Sequence, residues 1–287
     1  MNTVTTRLAA QALGISESTV KRWCDEGLIE ATRTAGGHRR LLAQSVVEYA
    51  RRSGLAIVSP RLLGLVPRLD SAAKKTAISA SVFCDALLRG DETGCRFVAH
   101  SCHLSGQRMS VFGDQFVSAA FREIGERWSH GGAQVYQERR ACQICLALIS
   151  ELRQLIPEAQ RGPIAIGGAW ADDPYTLATE LASLVLRQNG WRAQSLGSGL
   201  PWDTMTAAIK DLRPRLFWLT VSALGDSAAF LEQYRRFYTT VERSTAVVVG
   251  GRALTAEVRE RMTYTAYCDN LQHLEAFAQG LHRPRNS

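Results

Sequence analysis

The sequence predicts a multidomain α and α/β protein: a winged helix-turn-helix, then a four-helix bundle, then a doubly wound parallel sheet of flavodoxin-like type. Three observations carry this reading. The first fifty or so residues pair two short helices with a Gly-Gly hairpin, the middle shows helical periodicity without strands, and the last part alternates apolar strands with helices. At 287 residues the chain is long for one average domain and comfortable for two or three. The expected divisions are 1–56 for the winged helix-turn-helix, 57–74 for a linker, 75–160 for the bundle and 161–287 for the α/β module.

Composition limits the function classes. With 46% hydrophobic and 21% charged residues the chain is an ordinary folded protein. A net charge of +7 mildly favours a polyanionic partner, and where the charge sits matters more than its sum. No run of about eighteen apolar residues spans a membrane. The opening MNTVTTRLAAQALG lacks the basic start and long apolar stretch of a secretory signal. A cytoplasmic protein is expected, and the seven scattered cysteines suit reduced thiols there.

In the first segment, Thr5 or Thr6 can cap a helix through Leu8, Ala9 and Ala12, which Gly14 breaks. Ser16 opens a second helix, Glu17 to Glu26, with Val20 and Trp23 on one face and Ser18, Lys21 and Arg22 outward. That pattern places the second helix for the DNA major groove. Gly27 ends it, and Leu28–Ala31 reads as a strand, Thr34–Gly37 as a turn and His38–Leu41 as the returning strand. Ser45 is then expected to cap a helix through Val46, Val47 and Tyr49. The hairpin carries Arg33, His38, Arg39 and Arg40 without an acid, a wing suited to phosphates or the minor groove.

At Val20-Lys21-Arg22-Trp23, Gly27-Leu28-Ile29 and Gly36-Gly37-His38-Arg39-Arg40 the segment resembles the MerR family and its excisionase-like relatives. The resemblance implies sequence-specific binding of double-stranded DNA, usually by a dimer on two half-sites. The implied contacts are Ser18, Thr19, Lys21, Arg22, Arg33, His38, Arg39 and Arg40.

Val58-Ser59-Pro60 and Leu65-Val66-Pro67 punctuate the linker. Helices are then expected over Thr76–Arg89, Glu92–His103, Val111–Trp128 and Val135–Leu155. Gly113-Asp114, Arg122-Glu123-Ile124-Gly125, Trp128 and Glu138 resemble the helical cap before the cobalamin-binding domain of light-sensing regulators of the CarH type. Those carry a Trp, nine intervening residues and a Glu-His pair that covers the upper face of the corrinoid. Here Trp128 and Glu138 keep the spacing and Arg139 replaces the histidine; Trp128 filling the bundle core is the alternative. His100, Cys102 and His103 lie close in sequence, and Cys142-x-x-Cys145 has metal or redox spacing. Their apolar surroundings favour buried structural cysteines, with haem on His100 or His103 a remote alternative.

In the last part, strands are expected at Pro163–Gly167, Arg192–Leu196, Leu216–Val221, Ala246–Val249 and Thr265–Tyr267. Helices are expected at Tyr175–Gln188, Trp202–Asp211, Ser227–Val241, Thr255–Arg261 and from Leu271. Ligands of such sheets bind beyond the carboxyl ends of the strands. Ser222-Ala223-Leu224, Gly250-Gly251, Leu196-Gly197 and Leu200-Pro201 resemble the cobalamin-binding domain. The loop after the first strand departs from it, reading Asp173-Pro174-Tyr175-Thr176-Leu177-Ala178, with Tyr175 where the cobalt-ligating histidine belongs and Ala178 where the glycine belongs. A neutral phenol is a far poorer cobalt ligand than an imidazole.

The resemblance therefore implies candidate cofactor residues Trp128, Glu138, Asp173, Tyr175, Ser222, Leu224, Gly250 and Gly251, without the usual histidine ligand and with no metal site assigned. Three uses stay open: cobalamin held without a protein ligand, a different small molecule, or a ligand-free role in assembly. The expected function is a DNA-binding transcriptional regulator and homo-oligomer, dimer or tetramer, rather than an enzyme. The alternatives are a corrinoid-binding carrier or enzyme component, and a ligand-independent architectural DNA binder.

Overall fold

The computed structural model describes residues 3–34, 36–55, 57–63 and 78–282. The chain divides into two compact units, one of residues 1–108 with 120–144, the other of residues 109–119 with 145–287.

In the first unit, α1 (Thr6–Leu13) starts where the Thr5 hydroxyl accepts from the Leu8 N–H, and stops at Gly14, whose φ of 66° is left-handed. The Ser16 hydroxyl accepts from the Thr19 N–H and opens α2 (Glu17–Asp25). The two helices are tied by the Thr6 hydroxyl, which donates to Glu17 at 2.7 Å. Val20 is fully buried, and Trp23 packs on Tyr49 with ring centres 4.6 Å apart.

The hairpin differs from expectation at its start. Leu28 and Ile29 donate back to the Trp23 carbonyl, so they complete the turn that ends α2, and the strand β2 is Ala31–Arg33. It pairs antiparallel with β3 (Arg39–Leu42). A strand the sequence pattern did not signal, β1 (Thr3–Thr5), pairs with the other edge of β3. Ser45 is not a cap. Helix α3 (Ala43–Arg52) begins without a side-chain cap, and the Ser45 hydroxyl accepts from the Glu30 N–H at 2.8 Å.

Part of the expected linker lies on this domain: Ser59 donates to the Ala12 carbonyl, and Leu63, in the short turn Pro60–Leu63, is fully buried in the same core. Residues 64–74 of that linker, and the start of the helix expected from Thr76, lie outside the described residues.

Helix α4 (Ala80–Arg89) packs on α5 (Glu92–Leu104). The third expected helix is interrupted: α6 (Met109–Phe112) passes into a π-helical turn, Gly113–Ser118, before α7 (Ala119–Ser129). Helix α8 (Val135–Leu155) has the expected bounds. In the first unit, Arg127 of α7 pairs with Asp85 of α4, and Arg140 and Gln137 of α8 donate to the Leu88 carbonyl.

The second unit is built on a five-stranded, all-parallel sheet in the order β5-β4-β6-β7-β8. The strands are β4 (Ile164–Ala169), β5 (Arg192–Ser195), β6 (Leu216–Thr220), β7 (Ala246–Gly250) and β8 (Ala266–Cys268). Between them run α9 (Leu177–Gln188), α10 (Trp202–Leu212), α11 (Ser227–Thr240) and α12 (Ala256–Glu260), and α13 (Leu271–His282) follows. Strand order reverses at β4, which puts a crevice at its carboxyl end. One sheet face is filled by Trp170, Phe217, Phe230, Tyr234 and Phe237, the other by Trp191 and Trp218 against α9 and α13. Trp218 donates its indole N–H to Thr179 of α9 at 2.8 Å, and Asp114 of the π-turn caps α13 by accepting from the Leu271 and Gln272 N–H groups.

Candidate nucleic-acid interface and strand-end rim

The first site is the outer face of the helix-turn-helix. Ser18, Lys21 and Arg22 are exposed on α2, and Thr19 is half-buried. Their local partners are weak. The Ser18 and Thr19 hydroxyls share the Ser16 cap at 2.8 and 2.7 Å, and Lys21 pairs with Glu17 and Arg22 with Glu26 one turn away. Exposed i,i+4 pairs of this kind within one helix contribute little to stability. Glu17 is held below the usual carboxylate range by the Thr6 hydroxyl and by Lys21.

Arg33, His38 and Arg40 of the wing are exposed. Arg39 differs from them: it pairs with Asp25 at the end of α2, Nη2 to Oδ1 2.6 Å, and its side chain is only 25% exposed. Strand alternation separates the neighbours, with Arg39 on the side of buried Leu41 and Arg40 on the other. Sequence reading missed Asp25, which stands fourteen residues from its partner.

The second site is the strand-end rim. Asp173 is fully buried and spends its carboxylate on backbone: Oδ1 accepts from the Tyr175 N–H at 3.0 Å and Oδ2 from the Ser222 N–H. Burial raises its pKa, against the pull of these N–H groups. The Arg252 guanidinium lies over the half-buried Tyr175 ring and donates to the Ser222 carbonyl at 3.0 Å. Trp170 donates to the Ala223 carbonyl, and Thr176 shares a hydrogen bond with Ser198. The structure thus brings Asp173, Tyr175, Ser222 and Arg252 together, with Leu224 half-buried beside them. Arg252 was not among the expected residues.

Gly250 and Gly251 have an internal reason to be glycine. A Cβ on Gly250 would lie 2.8 Å from the Cys268 carbonyl oxygen, and one on Gly251 would lie 2.3 Å from that of Val221 at a φ of 118°.

These residues do not fit a histidine-ligated corrinoid. The ligand position holds a phenol covered by a guanidinium, and the surrounding loops hydrogen-bond to one another.

In the first unit, Trp128 is 59% exposed, so it does not fill a bundle core, and Glu138 is half-buried on α8. His103 is 2% exposed, neither ring nitrogen has a hydrogen-bond partner, and burial pushes its pKa down to about 4. Burial pushes the thiols of Cys95 and Cys102 up to about 12 and that of Cys142 to about 11. Such thiols stay protonated and are poor metal ligands and nucleophiles at neutral pH. Among the described residues, no helix is long and apolar enough to cross a membrane.

Comparison with known proteins agrees with this layout. The helix-turn-helix domain family model matches residues 3–54. The HTH-type transcriptional repressor CarH of Myxococcus xanthus is 23% identical over 265 residues, covering 86% of this chain and 88% of that protein. The solved monomethylamine corrinoid protein of Methanosarcina barkeri superposes with a TM-score of 0.58 at 15% identity, across 71% of this chain and 98% of that one. The chain therefore joins an N-terminal helix-turn-helix domain to a module with the fold of corrinoid proteins, an architecture like that of the CarH repressor.

Proposed function

We propose that this protein is a cytoplasmic DNA-binding transcriptional regulator that works as a homo-oligomer. The supporting observation is the helix-turn-helix itself: α2 presents Ser18, Lys21 and Arg22 outward over a buried Val20, beside a basic antiparallel wing. In this reading α2 enters the major groove, where Ser18, Thr19, Lys21 and Arg22 meet base edges and phosphates. Arg33, His38 and Arg40 take phosphates or the adjacent minor groove. One small domain makes few contacts, so useful affinity comes from a dimer or tetramer on repeated half-sites.

The working division by role is 1–56 for DNA, 57–74 as linker, whose residues up to Leu63 pack on the DNA-binding domain, 75–160 as helical cap and 161–287 as the corrinoid-fold module. That module sets oligomeric state or senses a ligand other than a histidine-ligated corrinoid, and a signal acts by favouring one assembly over another. A role as corrinoid carrier or methyl-transfer component is disfavoured by Tyr175 and by the closed loops around it. The test is sedimentation of the full chain with and without duplex DNA. An oligomer that binds a selected duplex supports the reading, and a monomer indifferent to every duplex overturns it.

A further inference from the structure

Strand β3 puts two arginines side by side, and the structure gives them different surroundings. Arg40 is exposed and stands in register with Thr32 and Thr5, while Arg39 shares the side of buried Leu41 and reaches Asp25 at 2.6 Å. Each partner of this pair has a separate need for the other. Asp25 is the last residue of α2, where the helix dipole disfavours an anion. Arg39 stands directly across the hairpin from Arg33, and like charges in that position repel. Asp25 offsets that repulsion, and Arg39 offsets the charge that Asp25 would otherwise present to a polyanion.

We infer that Arg39 is a positioning residue, which locks the wing to the end of the recognition helix through Asp25, and that Arg40 is the phosphate-binding arginine of strand β3. This rests on the DNA-binding reading for its functional part. The pair fixes the angle between the two DNA-contacting elements, so it governs discrimination between sequences more than the number of phosphates bound. Lys21 and Arg22 contrast with it, because each pairs with a glutamate one turn away on its own helix.

The test uses the full chain and two probes: a random-sequence duplex, and a duplex enriched from a random pool by the unaltered protein. Arg40→Ala should lower the slope of log affinity against log salt by about one and leave discrimination between the probes intact. Arg39→Ala should leave the slope unchanged and lower discrimination on the order of tenfold, the effect of losing one good base contact. Asp25→Asn should lower discrimination likewise, with a slope equal to or steeper than the parent, since it frees Arg39.

Hydrogen exchange of residues 31–42, measured without DNA, supplies the second readout. It should quicken in Arg39→Ala and Asp25→Asn and not in Arg40→Ala. A slope lowered by about one in Arg39→Ala, or wing exchange unchanged in both pair variants, overturns the inference. A parent protein that binds neither probe at low salt sinks the DNA-binding reading instead, and the exchange data still decide whether the pair holds the wing.

Discussion

The Arg252 guanidinium lies 5.4 Å from the centre of the Tyr175 ring while its Nε donates to the Ser222 carbonyl. One side chain thus bridges the loops after the first and third strands of the sheet. Asp173 bridges the same loops from below, through backbone N–H groups on both. The rim is closed by its own hydrogen bonds and by a cation over an aromatic face, an arrangement worth roughly 0.5–1 kcal/mol at an exposed site.

The cofactor expectation follows. Incubated with adenosylcobalamin in the dark and desalted, the unaltered protein should show no histidine-ligated corrinoid spectrum, because no imidazole stands at residue 175. Any such spectrum should require Tyr175→His. Its appearance in the unaltered protein contradicts this account of the rim.

Asp173 should matter for stability. An asparagine at that site keeps one acceptor and turns an amide N–H₂ toward a backbone donor, at a cost of roughly 1–3 kcal/mol. Because burial raises the Asp173 pKa, its protonated form is favoured on folding. That proton-linked part of its contribution is present at low pH and lost as pH rises through the folded value, whereas the two N–H bonds to the carboxylate persist at neutral pH. Denaturant titration of Asp173→Asn should show the loss at neutral pH, and a midpoint equal to the parent's refutes the bridging role.

His103 carries the opposite sign. Its pKa falls from 6.5 to about 4, first through burial and then through Arg51 and His100. The neutral ring is favoured on folding, so stability is complete above the ordinary histidine value and is lost as pH falls toward 4. The full effect is roughly 3 kcal/mol. His103→Leu, which also removes two unpartnered buried nitrogens, should flatten the pH dependence of unfolding between 6.5 and 4. An unchanged dependence assigns the acid sensitivity elsewhere.

Gly251 and Gly167 should resist substitution for reasons internal to the sheet. A Cβ at Gly167 would meet the Trp218 carbonyl oxygen at 2.1 Å and its indole at 2.3 Å, and one at Gly251 would meet Val221 backbone. Alanine at either position should lower the unfolding midpoint markedly, whether or not any ligand is present. A silent Gly251→Ala would return that glycine to a ligand-binding role.

Much of this architecture was legible in the sequence because periodicity and turn residues are local. The bounds of α8, the order of strands and helices in the α/β module, a cap at Thr5 or Thr6 and the cap at Ser16 all follow from neighbours within a few residues, and the structure chooses Thr5. What escaped was non-local. β1 is three residues long and exists through its pairing with β3, Ser45 serves a backbone N–H fifteen residues away, and the role of Arg39 depends on Asp25. The π-turn at Gly113–Ser118 keeps a helical hydrophobic pattern, so periodicity did not reveal it. At the rim, the Tyr175 substitution was readable, whereas its cover by Arg252 needed the fold to bring residues 175 and 252 together.

The most direct test of the central claim is selection of duplexes from a random pool by the full chain, repeated with a Lys21→Ala/Arg22→Ala variant. The account predicts that the unaltered protein enriches a repeated short motif and that the variant, folded alike by circular dichroism, enriches none. Failure of the unaltered protein to enrich any motif, or equal enrichment by the variant, would contradict a sequence-reading role for α2.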